Sequence, residues 1–252
     1  MSRPSDAPPL GGGEDAAGMP RLGDLRAAVA LLTPLPPRHV DPHGPACSRA
    51  TLFFPIVGGG IGGILLATNW LLGRGTPAAL TAAILVGTWE ILTAGRTLRA
   101  WGRIGEWGVE RPMTSPAGAA AMAGVVLIKT IGLAVQGSAR PVALLFAPML
   151  GRWSMVVLAT GARDAAGPAR KFNPAITFRE FALTSVLTLA ATLTLGEAFG
   201  VVLVVAVAGW TLVLRLLSHR WAGGVSWRFL HAAAASVEIV VVVLCGGLVN
   251  YS

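Results

Sequence analysis

Long apolar stretches separated by short polar segments fill the chain after about residue 50. Residues 52–72, 77–95, 117–135, 141–160, 181–195, 201–214 and 232–249 carry almost no charge. A helix needs roughly 20 mostly apolar residues to cross the hydrocarbon layer. Lipid offers backbone polar groups no partner, so such runs cross as helices. The pattern predicts seven transmembrane helices, over about 51–72, 77–95, 117–135, 141–160, 180–196, 198–217 and 230–249. The fold class is therefore an all-α, polytopic membrane helical bundle. Residues 21–35 have helical apolar spacing but are too short to span, and predict an interfacial helix ending in the Pro-rich turn at 33–37. Residues 38–50 read as a loop. Residues 1–20 read as a disordered cytoplasmic tail, and 21–252 as one membrane domain.

Composition agrees: 54% of residues are hydrophobic and the mean hydropathy is +0.65. The net charge of +8 raises the question of nucleic acid. The arginines lie between apolar segments, with no basic stripe interleaved with aromatics, so nucleic acid is not an expected partner and the lipid bilayer is. Sixteen Lys and Arg residues fall before helix 1 or in the loops after helices 2, 4 and 6; only Arg74 and Arg140 fall in the alternate loops. The positive-inside rule then places the N-terminus in the cytoplasm and the chain in the inner (cytoplasmic) membrane as a multi-pass protein. Such a basic face also attracts phosphorylated ligands.

Helix 1 carries two small-residue pairs, Gly58 with Gly62 and Gly59 with Gly63, either of which allows close helix contact. Four ionisable residues fall inside spans: Glu90, Lys129, Arg152 and Glu238. Each costs roughly 2.5–3.5 kcal/mol at mid-bilayer unless it faces protein or water. Two acids and two bases predict pairing in the bundle interior. Lining of a substrate cavity is the alternative, with snorkelling at a span end open to Glu90 and Arg152. His39, Asp41, His43 and Cys47 cluster before helix 1, but four prolines break the segment, so it reads as a plain loop and no metal ligands are assigned. His219 and His231 read as interfacial polar residues.

Specific strings then add to this reading. Ala30-Leu31-Leu32-Thr33-Pro34-Leu35-Pro36-Pro37 is followed by Phe54-Pro55-Ile56-Val57-Gly58-Gly59-Gly60-Ile61-Gly62. Next comes Ala147-Pro148-Met149-Leu150-Gly151-Arg152-Trp153-Ser154-Met155-Val156, and finally Gly223-Gly224-Val225 with Glu238 beyond it. In this order they resemble the phrases FLTRLPVP, FPLVGLLIG, APVLGRWAMV and GGVTGD of the cobalamin synthase family, the membrane adenosylcobinamide-GDP ribazoletransferases. The resemblance covers about residues 25–249.

It implies a reaction joining a nucleotide-activated corrinoid to α-ribazole or its phosphate with release of GMP. It also implies a divalent cation, Mg²⁺, held by carboxylates and substrate phosphates. The family's acidic phrase HLDGLADTADG aligns through Leu92-Thr93-Ala94-Gly95. That alignment places Thr97 at the His, Arg99 and Arg103 at the first two Asp positions, and Glu106 at the third. Arg228 stands at the Asp of GGVTGD. Guanidiniums at three carboxylate positions repel Mg²⁺ and attract phosphate directly. On this resemblance Glu106 and Arg152 are the candidate catalytic residues. Arg99, Arg103, Arg228, Gly223, Gly224, Lys129 and Glu238 are the candidate substrate-binding residues, and a corrinoid nucleotide is the expected ligand. Three readings stay open: a transferase with a rearranged site, a non-catalytic corrinoid- or partner-binding subunit, and a transporter-like membrane protein.

Overall fold

A computed structural model of the chain describes residues 21–35, 45–73, 75–104, 115–161, 176–221 and 225–248. The regular elements are α1 (Leu22–Leu32), α2 (Pro45–Ala50), a 3-10 turn (Thr51–Phe53), α3 (Phe54–Leu72), α4 (Ala78–Leu92) and α5 (Arg96–Ile104). After these come α6 (Pro116–Val135), a second 3-10 turn (Gly137–Ala139), α7 (Arg140–Ala159), α8 (Phe178–Trp221) and α9 (Trp227–Leu248). Six helical segments are long and apolar enough to cross a membrane, or seven if the bent pair α4 and α5 counts as one span. The all-helical membrane bundle expected from the apolar pattern is thus what the chain forms.

Local signals account for the helix starts. Ser115 caps α6, its hydroxyl accepting from the Gly118 N–H at 3.1 Å, and Pro116 follows at the first helical position, where a missing N–H costs nothing. Asp24 caps α1 by accepting from the Arg21 N–H at 2.9 Å, and its other oxygen takes Arg49 of α2 at 3.2 Å. That ion pair ties the short N-terminal helices together.

Three expectations need correction. Residues 45–50 form α2 rather than loop. Residues 96–104, placed in the loop after helix 2, form α5. The sequence signal was weak because α5 is rich in arginine, yet Arg96, Arg99 and Arg103 recur at helical spacing. Helix 2 also ends at Leu92, so α4 has only 15 residues, short of the roughly 20 a crossing needs. A turn follows it in which Gly95 N–H bonds Glu90 C=O at 2.7 Å and Ala94 N–H bonds Ile91 C=O at 3.0 Å. Ala94 and Gly95 both take left-handed backbone (φ 54° and 59°), which closes the helix and turns α5 by 88°.

The expected helices 5 and 6 are the two arms of α8. Glu197 breaks it with φ 49° and ψ −133°. The arms fold back on each other: Gly196 lies by Phe146 of α7, while Ser185 of the first arm accepts from Trp153 Nε1 at 3.1 Å and Arg215 of the second reaches the Val157 carbonyl at 3.2 Å.

α7 and α9 form the centre. In their most apolar stretches 83% and 72% of residues are buried, against 22% for α6 and 17% and 28% for the arms of α8. The peripheral helices present Leu127, Ile131, Val186, Val205, Leu212 and Leu216 outward, as a lipid-facing surface requires. α3 packs on α7 through one of its two glycine pairs. A Cβ on Gly58 would sit 2.5 Å from the Pro148 carbonyl oxygen, and one on Gly62 2.8 Å from that of Leu144. Pro148 has no N–H, so the Leu144 carbonyl lacks its helical donor and stands free to face the glycine backbone. Gly63 has open space instead.

This contact yields a paired prediction. Gly62→Ala forces the α3 and α7 backbones apart and lowers stability by about 1–3 kcal/mol, whereas Gly63→Ala is close to neutral. Thermal unfolding of the two variants in detergent measures the difference, and equal melting would contradict the assigned contact face.

Candidate functional site

Charged side chains gather in two layers between α4, α5, α6, α7 and α9. The inner layer is closed. Lys129 of α6 donates to Glu238 Oε2 of α9 at 2.7 Å and to Glu90 Oε1 of α4 at 3.2 Å. Its ammonium also lies 4.3 Å above the Trp89 ring. Arg152 of α7 pairs through Nη1 with the other oxygen of Glu238. Lys129, Arg152 and Glu238 are 0–1% exposed. All four in-span ionisable residues therefore join one neutral chain, Arg152–Glu238–Lys129–Glu90. This corrects the snorkelling option for Arg152, which is enclosed by α7 and its neighbours. Gly151 makes the arrangement possible, because a Cβ there would sit 3.2 Å from Glu238 Cγ.

The outer layer is an open cavity of about 330 Å³ lined by Arg96, Arg99 and Arg103 of α5 and by Trp227, Arg228 and His231 of α9. Residues 96, 99 and 103 share one face of α5, and 227, 228 and 231 one face of α9. Arg96 reaches across to the Ala30 and Leu31 carbonyls at the end of α1. Arg99 donates to the Ala94 carbonyl at 2.6 Å, in the turn that aims α5. Among the described residues no carboxylate pairs with any of the four arginines. Trp227 stands edge-on to His231, with ring centroids 4.6 Å apart, and edge-on to Phe54 at 6.3 Å.

The structure thus brings Arg99, Arg103 and Arg228 to one cavity. Arg152, Lys129 and Glu238 lie in the inner layer rather than on the cavity wall. Glu106, Gly223 and Gly224 lie outside the described residues, as do the tail 1–20, His39, Asp41 and His43. Sequence reasoning missed Arg96, Trp227 and His231. The available signal was helical spacing: 96 belongs with 99 and 103, and 231 with 227 and 228.

The chemistry of this lining is anionic recognition. Guanidinium donates and never accepts, so a wall of four arginines gives a divalent cation nothing to hold. Among the described residues the two nearby carboxylates, Glu90 and Glu238, are already engaged by Lys129 and Arg152. Among the described residues no three His, Cys, Asp or Glu side chains come together as a metal set. The described residues of this lining do not fit Mg²⁺. They do fit phosphate oxygens, which planar guanidiniums bind in pairs.

Comparison with known proteins now adds the lineage. The family model for cobalamin-5-phosphate synthase matches residues 24–98 and 112–246. The chain belongs to that family. The match to the cobalamin synthase model is interrupted between residues 98 and 112, the stretch that contains Arg99 and Arg103. A Roseiflexus sp. (strain RS-1) protein named adenosylcobinamide-GDP ribazoletransferase is 34% identical over 84% of this chain and 85% of its own length. A protein of the same name from Pseudomonas paraeruginosa is 35% identical over 54% of this chain and 62% of its own length. No solved structure matches this cobalamin synthase family member.

The inner layer generates a stability prediction. Glu238→Leu leaves Arg152 buried without its partner and costs about 3–5 kcal/mol. Adding Arg152→Leu restores part of the loss. A double-mutant cycle on detergent unfolding reads the coupling, and additive losses would show that the two side chains do not form the pair described.

Proposed function

We propose that this member of the cobalamin synthase family binds a corrinoid nucleotide at the arginine-lined cavity and does not carry out the ribazole transfer. One observation carries the reading. Three of the four positions where the family phrases put carboxylates hold Arg99, Arg103 and Arg228, and all three line one cavity. Scattered replacements would point to a lost site; convergent ones point to a site whose charge has been reversed. In this reading Arg99, Arg103 and Arg228 take the phosphates of the ligand directly, without Mg²⁺. Gly223 and Gly224, which precede α9 in the sequence, belong to the substrate-binding set in this reading. Arg152, Lys129 and Glu238 fix the floor beneath, and Glu106 is the one acid retained from the family phrase.

Cobalamin synthase chemistry displaces GMP from phosphorus. A divalent cation would neutralise charge developing on phosphorus, and the described lining offers no free carboxylate to hold one. Arginines can still hold the ground state and neutralise its charge. The arginine-rich cavity end of the bundle faces the cytoplasm in this reading, where soluble nucleotides are found, and the protein sits in the inner membrane. A second reading, a transferase with a rearranged site, is favoured by the likeness to the Roseiflexus protein along nearly the whole chain.

Purified protein in detergent, supplied with adenosylcobinamide-GDP, α-ribazole phosphate and Mg²⁺, separates the two. The expected result is no release of GMP, together with binding of adenosylcobinamide-GDP that survives EDTA. Arg99→Ala and Arg228→Ala should each weaken that binding by about 10- to 100-fold, the scale of one charge-assisted hydrogen bond. Release of GMP with a corrinoid product would establish the transferase instead.

A further inference from the structure

The cavity holds one polar side chain that neither the charge reversal nor the family resemblance explains. His231 lies on the cavity wall and is only 5% exposed. Neither ring nitrogen has a hydrogen-bond partner among the described residues. Buried polar groups are almost always paired, and an unpaired one carries a desolvation cost. Whatever its tautomer, an imidazole presents at least one N–H, so the wall holds an unused donor. Its ring packs edge-on against Trp227, one turn earlier on α9, and Trp227 in turn packs against Phe54 of α3. The donor is therefore held in place before any ligand arrives.

The surroundings define what it can donate to. Arg152 of α7 and Arg96 and Arg99 of α5 are the charges that act on the ring. Arg103 and Arg228 line the same cavity. Glu238, two turns further along α9, is taken by Arg152 and Lys129. Among the described residues no acceptor serves the ring, and the carboxylate of Glu238 is already neutralised by its two partners. The start of α9 borders the cavity as well, adding the positive end of a helix dipole. An oxyanion with several acceptor atoms satisfies all of these groups together, and a phosphate monoester does so with a dianionic terminal group.

We propose that His231 forms, with Arg96 and Arg99, an inner phosphate subsite in which the imidazole N–H donates to a phosphate oxygen of the bound ligand. The inference rests on the reading that the cavity holds a phosphate, and adds the residue that seats it. The phosphate can belong to a soluble nucleotide or to a lipid headgroup, because the cavity opens at the end of a membrane bundle.

The test uses the full chain in phosphatidylcholine nanodiscs with GMP as soluble probe, and in nanodiscs containing phosphatidic acid as lipid probe. His231→Leu should weaken binding of the effective probe about tenfold. Either His231→Asn or His231→Gln, whose amides place N–H groups near the two ring nitrogens, should recover most of it. A residue that merely fills space would give the opposite order, with the apolar variant the best tolerated. His231-dependent GMP binding identifies a soluble source. His231-dependent retention of phosphatidic acid without GMP binding identifies a lipid source, supports the subsite and removes the corrinoid-nucleotide reading. Binding that Arg99→Gln weakens but His231→Leu leaves unchanged overturns the subsite alone. Absence of binding to either probe overturns both.

Discussion

The structure depends on keeping four charges out of contact with lipid. Glu90, Lys129, Arg152 and Glu238 come from four different helices, α4, α6, α7 and α9. Each, left alone at bilayer depth, would cost roughly 3–5 kcal/mol, a large share of the stability of a small domain. Their pairing therefore fixes which helices are neighbours and at what depth. In lipid there is little hydrophobic drive between helices, so such pairs and close backbone contacts take over the role of an apolar core. The glycine contacts serve the same end. Gly151 lets α9 close on α7, and Gly58 and Gly62 let α3 close on α7, so the two central helices become the axis on which the rest is hung.

A second consequence follows at the rim. The inner chain consumes the carboxylates that stand near the cavity, so the arginines above it keep their charge uncompensated by any described acid. Part of their mutual repulsion is relieved by the backbone. Arg96 turns to the carbonyls at the end of α1 and Arg99 to the carbonyl of Ala94, both at helix ends that favour cations. Arg103 and Arg228 are left exposed to whatever enters. A cavity with low-dielectric walls concentrates this field and draws anions toward it. The neutral floor and the cationic rim are thus two parts of one charge arrangement.

Most of the fold could be read from the apolar runs, because lipid demands them and little else produces them. What could not be read has specific causes. α5 was hidden since three arginines in nine residues look like loop, although their spacing was helical. The two glycine pairs of α3 have the same spacing, so only the position of α7 tells Gly58 and Gly62 from Gly59 and Gly63. The four in-span charges could be expected to pair, but the order of the pairs depends on helix packing. For the site, converging Arg99, Arg103 and Arg228 came from the family phrases. His231 carried no phrase, and a lone histidine near a helix start resembles any interfacial residue until its partners can be counted.

The separation of floor and rim also bears on which parts of the bundle are free to vary. The family match runs through the helices that carry Glu90, Lys129, Arg152 and Glu238 and breaks off across the stretch holding Arg99 and Arg103. Substitution in the inner chain exposes an unpaired charge to a low-dielectric interior, so each member constrains the others. Substitution on α5 or at the start of α9 meets water on one side and leaves the inner pairs untouched. Reversal of charge at the rim therefore costs the bundle little, even where it changes completely what the cavity can hold. A change of charge on this rim would be structurally easier than loss of a single buried partner.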